Sequence, residues 1–177
     1  MHRILGITAC AVIVLFAVPL SADELRPVTH EDVWTMNRLG TPAISPDGQS
    51  AVVSVTEPSY EEDADVSDLW LVDVGGENEP RRLTATKAGE SGVAWRPDGG
   101  AIAFSAKRGD DEVSQVYVLD MTGPGEAVAI TSLSTGASGP VWSPDGSKIA
   151  FQSKVFPGAA DDEANKEEKK AREERKY

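Results

Sequence analysis

The chain is poor in the residues that enzymes and metalloproteins most often place at their sites. Its 177 residues include one cysteine and two histidines, and 17 basic residues stand against 29 acidic ones. The cysteine, Cys10, lies inside an N-terminal apolar run. Everything after that run is free of thiols, which excludes disulfides, zinc–thiolate sites and cysteine nucleophiles there. A formal charge of −12 argues against a nucleic-acid partner, because neutralising phosphates needs a basic face. Such acidity suits solubility outside the cytoplasm.

The first residues read as an export signal. Met1-His2-Arg3 is a short basic start, Ile4 to Val18 is uncharged and mostly apolar, and Pro19-Leu20-Ser21-Ala22 ends in a small residue. A signal peptide over 1–22 is therefore expected, with periplasmic or extracellular delivery and no other membrane contact. The alternative is an uncleaved anchor, although the run is shorter than the ~20 residues that span a bilayer. Cys10 is poorly placed for lipidation, with too little apolar sequence before it and too much after.

What the chain does have is a repeat. Ile44-Ser45-Pro46-Asp47-Gly48, Trp95-Arg96-Pro97-Asp98-Gly99 and Trp142-Ser143-Pro144-Asp145-Gly146 place their aspartates 51 and 47 residues apart. Ser-Pro-Asp-Gly fits a type I turn, with Pro fixing φ at the second position and Gly free to turn left-handed at the fourth. Strand-like pieces flank each turn. Gly92 to Trp95 precedes one, and Ala101-Ile102-Ala103-Phe104-Ser105 follows it with the alternation of a strand. Two further blocks repeat at 47 residues: Asp68 to Asp73 with Gln115 to Asp120, and Arg82-Leu83-Thr84 with Ala129-Ile130-Thr131. The four extra residues of the first period fall between Glu57 and Ser67. Gly75-Gly76 and Gly123-Pro124-Gly125 punctuate the last connection of each unit.

Four short antiparallel strands per ~40–50 residues are the blade of a β-propeller. The expected fold is all-β: an incomplete propeller of about two and a half four-stranded blades, with a short N-terminal helix and a charged helical C-terminal segment. The expected divisions are a lead-in helix over 23–41, blade one over 42–88 and blade two over 89–135. An incomplete blade three follows over 136–177, with a charged insertion over 154–177. Rings of this kind usually have four to eight blades, so the sequence is expected to be the front part of a longer protein. From Asp161 on, seven acidic residues meet six basic ones. That composition favours a solvated helix, with Glu168 and Arg172 four apart as a favourable pair.

From Val28 to Tyr177 the chain resembles the secreted bacterial peptidases of the prolyl oligopeptidase family, in the acylaminoacyl and dipeptidyl peptidase branch. The residues that carry the resemblance are Thr29-His30-Glu31-Asp32 with Arg38-Leu39-Gly40, and Pro42 to Gly48. Asp68 to Asp73 with Arg81 to Thr84 continues it, and Gly139 to Phe151 runs into Val155-Phe156-Pro157 and the charged stretch. The Trp-Ser-Pro-Asp-Gly hairpin alone is shared with TolB-type periplasmic propellers. The resemblance implies a propeller that filters peptides toward an α/β-hydrolase domain with a Ser-Asp-His triad. The implied function is peptide handling for that domain; a non-catalytic TolB-type binding propeller is the alternative.

No catalytic residue is assigned to this chain, nor any cofactor-binding or metal residue. A nucleophile elbow needs G-x-S-x-G. Gly89-Glu90-Ser91-Gly92-Val93 and Gly136-Ala137-Ser138-Gly139-Pro140 both lack the final glycine and read as turns entering a strand. A triad also needs a histidine, and after residue 22 only His30 remains. His30 is read as part of a helix running to about Arg38, capped by Thr29 with Asp32, with Val33, Trp34 and Leu39 packing it. Glu61-Glu62-Asp63 and Asp110-Asp111-Glu112 lack the spacing of a calcium loop and are read as solvated loop acids. The paired glutamates that hold the substrate N-terminus in some dipeptidyl peptidases are not matched by Glu61-Glu62.

Overall fold

Three Pro-Asp-Gly turns each close a hairpin. The computed structural model describes residues 26–58, 66–86 and 89–175. In it the amides of Gly48, Gly99 and Gly146 donate to the carbonyls of Ser45, Arg96 and Ser143 at 2.9, 2.8 and 2.9 Å. All three glycines have φ near +70° (73°, 76° and 69°), a conformation that glycine adopts without the Cβ penalty. The turn aspartates accept from the amides of Gln49, Gly100 and Ser147 at 3.0, 2.9 and 3.1 Å, which fixes each turn locally.

The turns join antiparallel strands. In the first sheet β1 (Arg38–Leu39) and β2 (Ala43–Ile44) both pair with β3 (Ser50–Glu57). That strand pairs with β4 (Val66–Asp73), which pairs with β5 (Arg81–Arg82). The second sheet is a meander of β6 (Glu90–Trp95), β7 (Ala101–Ala106), β8 (Gln115–Asp120) and β9 (Val128–Ala129). The third is the hairpin of β10 (Ser138–Trp142) and β11 (Ile149–Gln152). The result is an all-β, incomplete propeller whose described sheets stay open rather than closing a ring. The expected signal peptide over 1–22, and Glu61 to Asp63, lie outside the described residues.

Period-two alternation decides which side chains face which neighbour. Ile102, Phe104 and Ala106 of β7, with Tyr117 and Leu119 of β8, pack on Val52 and Leu69 of the first sheet. On the opposite face Ala103 and Val116 meet Ala137, with Trp142 and Ile149 of the third sheet half-buried against them. All six residues of β7 are buried, as befits a strand covered on both faces. Full burial of a side chain such as Phe104 or Ile102 contributes about 1.5–3 kcal/mol. Each seam also carries an indole clasp. Trp95 Nε1 donates to the Ala43 carbonyl at 2.9 Å, and Trp142 Nε1 to the Ala94 carbonyl at 3.1 Å. The first repeat has Ile44 in that place, 55% exposed.

The fourth strands end at Arg82 and Ala129, before the repeated threonines. Thr84 and Thr131 instead use their hydroxyls to accept the Leu69 and Val116 amides at 2.9 Å each. A side chain thereby replaces a ladder bond at the same position in both sheets.

The lead-in helix α1 (His30–Thr35) is shorter than expected and not packed as expected. Thr29 and Asp32 form a reciprocal capping box, and Arg26 pairs with Asp32 at 2.5 Å. Arg38 and Leu39 leave the helix to pair with Thr56 and Val55 of β3, because a strand edge offers backbone partners that a helix end lacks. Val33 and Leu39 are 59% and 71% exposed and Trp34 is 45% exposed, so local capping rather than apolar burial holds α1.

Helix α2 (Asp162–Glu174) is capped by Asp161, which accepts the Ala164 amide at 2.9 Å. The Glu168–Arg172 pair forms at 2.7 Å. The helix is docked on the propeller, contrary to a fully solvated reading. Asn165 is buried and donates to Thr135 Oγ1 and the Lys154 carbonyl, both at 3.0 Å, while accepting the Phe156 amide at 2.8 Å. Asp162 accepts from the Ser134 amide and hydroxyl, and Lys169 Nζ donates to the Ser134 carbonyl at 3.1 Å. Arg172 lies 4.7 Å over the Phe156 ring. Among the described residues no helix is long and apolar enough to cross a membrane.

Candidate functional site at the seams between sheets

The first strand is bulged in the second and third repeats. Register slips between Ser91 and Ala94 in β6 and between Ser138 and Val141 in β10. The residue after each serine is a glycine with positive φ: Gly92 at 66° and Gly139 at 60°. The two elbow-like pentapeptides therefore enter their strands as expected, at Glu90 and Ser138, and each carries an equivalent β-bulge. Ser91 and Ser138 sit in extended, exposed backbone, not on the strand-to-helix turn that presents a nucleophile. The bulge lets neighbouring sheets touch: the Gly139 amide of the third sheet donates to Ser105 Oγ of the second at 3.1 Å.

Between the first and second sheets lies a buried charged cluster. Glu90, the first residue of β6, is fully buried at its side chain. Its carboxylate accepts from Arg108 Nε at 2.9 Å, from Thr86 Oγ1 at 3.2 Å and from the Thr84 hydroxyl. Arg108 stacks over the Phe104 and Tyr117 rings, 5.1 and 5.3 Å from their centroids. Beside them Arg82 pairs with buried Asp68, which also accepts the Thr86 amide at 3.0 Å. Tyr117 donates to Asp111 at 2.5 Å, so this loop acid is engaged rather than merely solvated. Burial first, and then the Asp111 carboxylate, push the Tyr117 phenol up to about 12. A cavity of about 290 Å³, lined by Arg82, Thr84, Thr86, Arg108 and Glu126, opens beside the cluster. Glu90 pairs with Arg108 and Asp68 with Arg82, so the cluster works as a fastening between sheets.

The Pro-Asp-Gly end is acidic. Asp47 and Asp145 accept from their own turn serines at 2.6 Å, and Asp120 accepts from Thr122. Those hydroxyls hold the Asp47 and Asp120 carboxyls below the usual range and bring Asp145 down to about 2. Asp98 is lowered chiefly by Arg96, and Asp73 by the Gly75 amide. Arg96 replaces the turn serine of the other repeats, reaching Asp98 at 2.7 Å and lying 5.9 Å over the Trp142 ring. Cavities of about 440 and 490 Å³ separate consecutive turns at this end.

Sequence reasoning missed the Glu90–Arg108 cluster. Its signal was the joint exchange of both residues between repeats, with Ala137 and Val155 at the same places 47 residues later. His30 is exposed on α1. Among the described residues no group of three or more His, Cys, Asp or Glu side chains could hold a metal ion.

Three Pro-Asp-Gly hairpins in series, the second and third bulged and clasped by a tryptophan, are a propeller geometry, and residues 25–165 match the TolB beta propeller domain. The chain belongs to that family. Dipeptidyl-peptidase 5 of Porphyromonas gingivalis is 33% identical over 82 residues, covering 46% of this chain and 12% of that protein. The crystal structure of TolB from Acinetobacter baumannii matches with a TM-score of 0.51 at 25% identity, over 69% of this chain and 27% of that one. The AtxE2 isopeptidase matches with a TM-score of 0.57 at 18% identity, over 82% of this chain and 26% of that one. This TolB-type propeller segment thus spans an eighth to about a quarter of the proteins it resembles. It is related both to TolB and to propellers attached to peptidases.

Proposed function

We propose that this chain is the opening propeller segment of an exported serine peptidase, holding or admitting peptides for a hydrolase domain carried elsewhere in the protein. The observation that supports this most is the 33% identity to dipeptidyl-peptidase 5 over 82 residues. The described residues supply strands, clasps and seams but no acyl-transfer machinery, so hydrolysis would need a serine nucleophile and its histidine from another domain. Export rests on the Met1 to Ala22 signal pattern. The likeness to TolB at 25% identity supports a second reading, a non-catalytic periplasmic binding propeller.

The two readings separate by experiment. The full protein carrying this segment is isolated from its native source and treated with a serine-directed fluorophosphonate. Labelling of a species whose tryptic peptides include residues 26–175 is expected. Detection of those peptides in an unlabelled, exported protein would overturn the peptidase reading and leave the binding propeller.

A further inference from the structure

The two gaps between consecutive Pro-Asp-Gly turns are built from the same parts. The second turn rests on the first, where a Cβ on Gly99 would lie 3.9 Å from Pro46 Cδ. The third rests on the second, where a Cβ on Gly146 would lie 3.6 Å from Pro97 Cδ. The indole at each gap is fixed by the same bond to the preceding sheet, Trp95 to the Ala43 carbonyl and Trp142 to the Ala94 carbonyl. Asp47, Trp95 and Gly99 thus occupy in the first gap the places of Asp98, Trp142 and Gly146 in the second.

The second gap holds a cation of its own. The Arg96 stem runs along it, with Cγ 3.2 Å from the place of a Gly146 Cβ. Its guanidinium lies 5.9 Å over the Trp142 ring, and its Nε donates to Asp98 at 2.7 Å. An aromatic face and a carboxylate together satisfy a guanidinium, through the ring quadrupole and a charge-assisted hydrogen bond. Those distances show that the three parts converge on one.

In the first gap Ser45 stands where Arg96 stands one repeat later. Its hydroxyl donates to Asp47 Oδ1 at 2.6 Å and accepts the Ser50 amide at 2.9 Å. The cavity there, about 440 Å³, is lined by half-buried Leu71, Trp95 and Met121, with exposed Asp47 and Asp98 beside them. Among the described residues no Lys or Arg side chain pairs with Asp47 or lies over Trp95. The first and second sheets flank this gap on both sides, so the difference between the gaps is one exchange, serine for arginine.

We propose that the first gap binds the arginine side chain of a peptide, its guanidinium over Trp95 and against Asp47 in the arrangement that Arg96 takes in the second. The choice of a peptide as the source of the guanidinium rests on the peptide-handling reading above. The test uses the full protein with fluorotryptophan at its indoles, followed by fluorine NMR at low salt. The two resonances are assigned from Trp95→Phe and Trp142→Phe. The probes are N-acetyl-arginine amide and its neutral isostere, N-acetyl-citrulline amide. The Trp95 resonance is expected to shift saturably, at about tenfold lower concentration of the arginine probe, while Trp142 stays still. Asp47→Asn should bring the two probes level. Ser45→Arg, which copies the second repeat, should silence Trp95; Arg96→Ser, which copies the first, should make Trp142 respond. Equal response of Trp95 to both probes, no response of Trp95, or a silent Trp142 in Arg96→Ser would each overturn the site. Free arginine acting at lower concentration than the capped probe would overturn the peptide as its source. The fluorophosphonate result does not depend on Asp47, so the peptidase reading can fail or stand separately.

Discussion

Equivalent positions in the two seams carry opposite chemistry. Glu90 and Arg108, buried and paired between the first and second sheets, become Ala137 and Val155 between the second and third. Asp68, which accepts the Thr86 amide and pairs with Arg82, becomes Gln115. That residue accepts the equivalent Leu133 amide at 3.1 Å and the Thr131 hydroxyl at 2.8 Å, while its own Nε2 donates to the Leu133 carbonyl at 2.8 Å. The backbone bonds are the same and only the charge is gone. A blade seam therefore needs its threonine, its strand-end acceptor and its indole clasp, while the ion pairs are optional. They must also come and go together, since a buried charge left alone costs several kcal/mol.

That difference can be broken directly. Glu90→Ala strands the Arg108 guanidinium under two aromatic rings and should destabilise the protein by about 3 kcal/mol in chemical denaturation. Adding Arg108→Val copies the second seam and should recover most of that loss. If the double variant is no more stable than the single one, the exchangeability of the seams is wrong. Next in size, Gly136→Ala places a Cβ against the Ser114 carbonyl in a positive-φ backbone. It should cost about 1–3 kcal/mol, whereas Gly109→Ala, which meets no neighbouring atom, should cost less. Trp142→Phe removes one indole donor and should lose about 1 kcal/mol; Trp95→Phe should lose a similar amount if the clasps are equivalent.

Smallest are the turns. Arg96→Ser would restore the serine of the other two repeats, and the unfolding midpoint should barely move, because an exposed ion pair is exchanged for a local hydrogen bond. Asp145 supplies the pH test. Its folded pKa is brought down to about 2, below the ordinary aspartate value of 3.8, chiefly by the Ser143 hydroxyl. Its contribution is thus complete above roughly pH 4 and is lost as pH falls toward 2. Unfolding midpoints of wild type and Asp145→Asn should differ at pH 6 and converge near pH 2. A constant offset across that range would show that the Ser143 hydrogen bond does not discriminate the charged form.

Much of the architecture was legible in the chain. The Pro-Asp-Gly period located the hairpins, and the repeated Asp68 and Gln115 blocks located the third strands. Thr29 with Asp32 marked a helix start. These features are local: turn chemistry, period-two alternation and capping act over a few residues. The helix exit at Met36 was not legible, because the pairing of Arg38 with Thr56 competes with helix continuation. Nor was the docking of α2, where one buried asparagine outweighs a charged composition.

By itself the sequence determined a repeated four-strand unit, its turn geometry and the thiol-free, acidic surface that excludes several chemistries. Only the tertiary structure decided which residues meet across a seam. Glu90 and Arg108 are 18 residues apart and Trp142 and Ala94 are 48 apart; neither spacing is a local signal. Contacts of this kind depend on how one sheet stacks on the next, which the alternation permits but does not specify. The charged fastening of one seam, and the apolar packing of Ala137 with Val116 and Leu133 in the other, follow from that stacking.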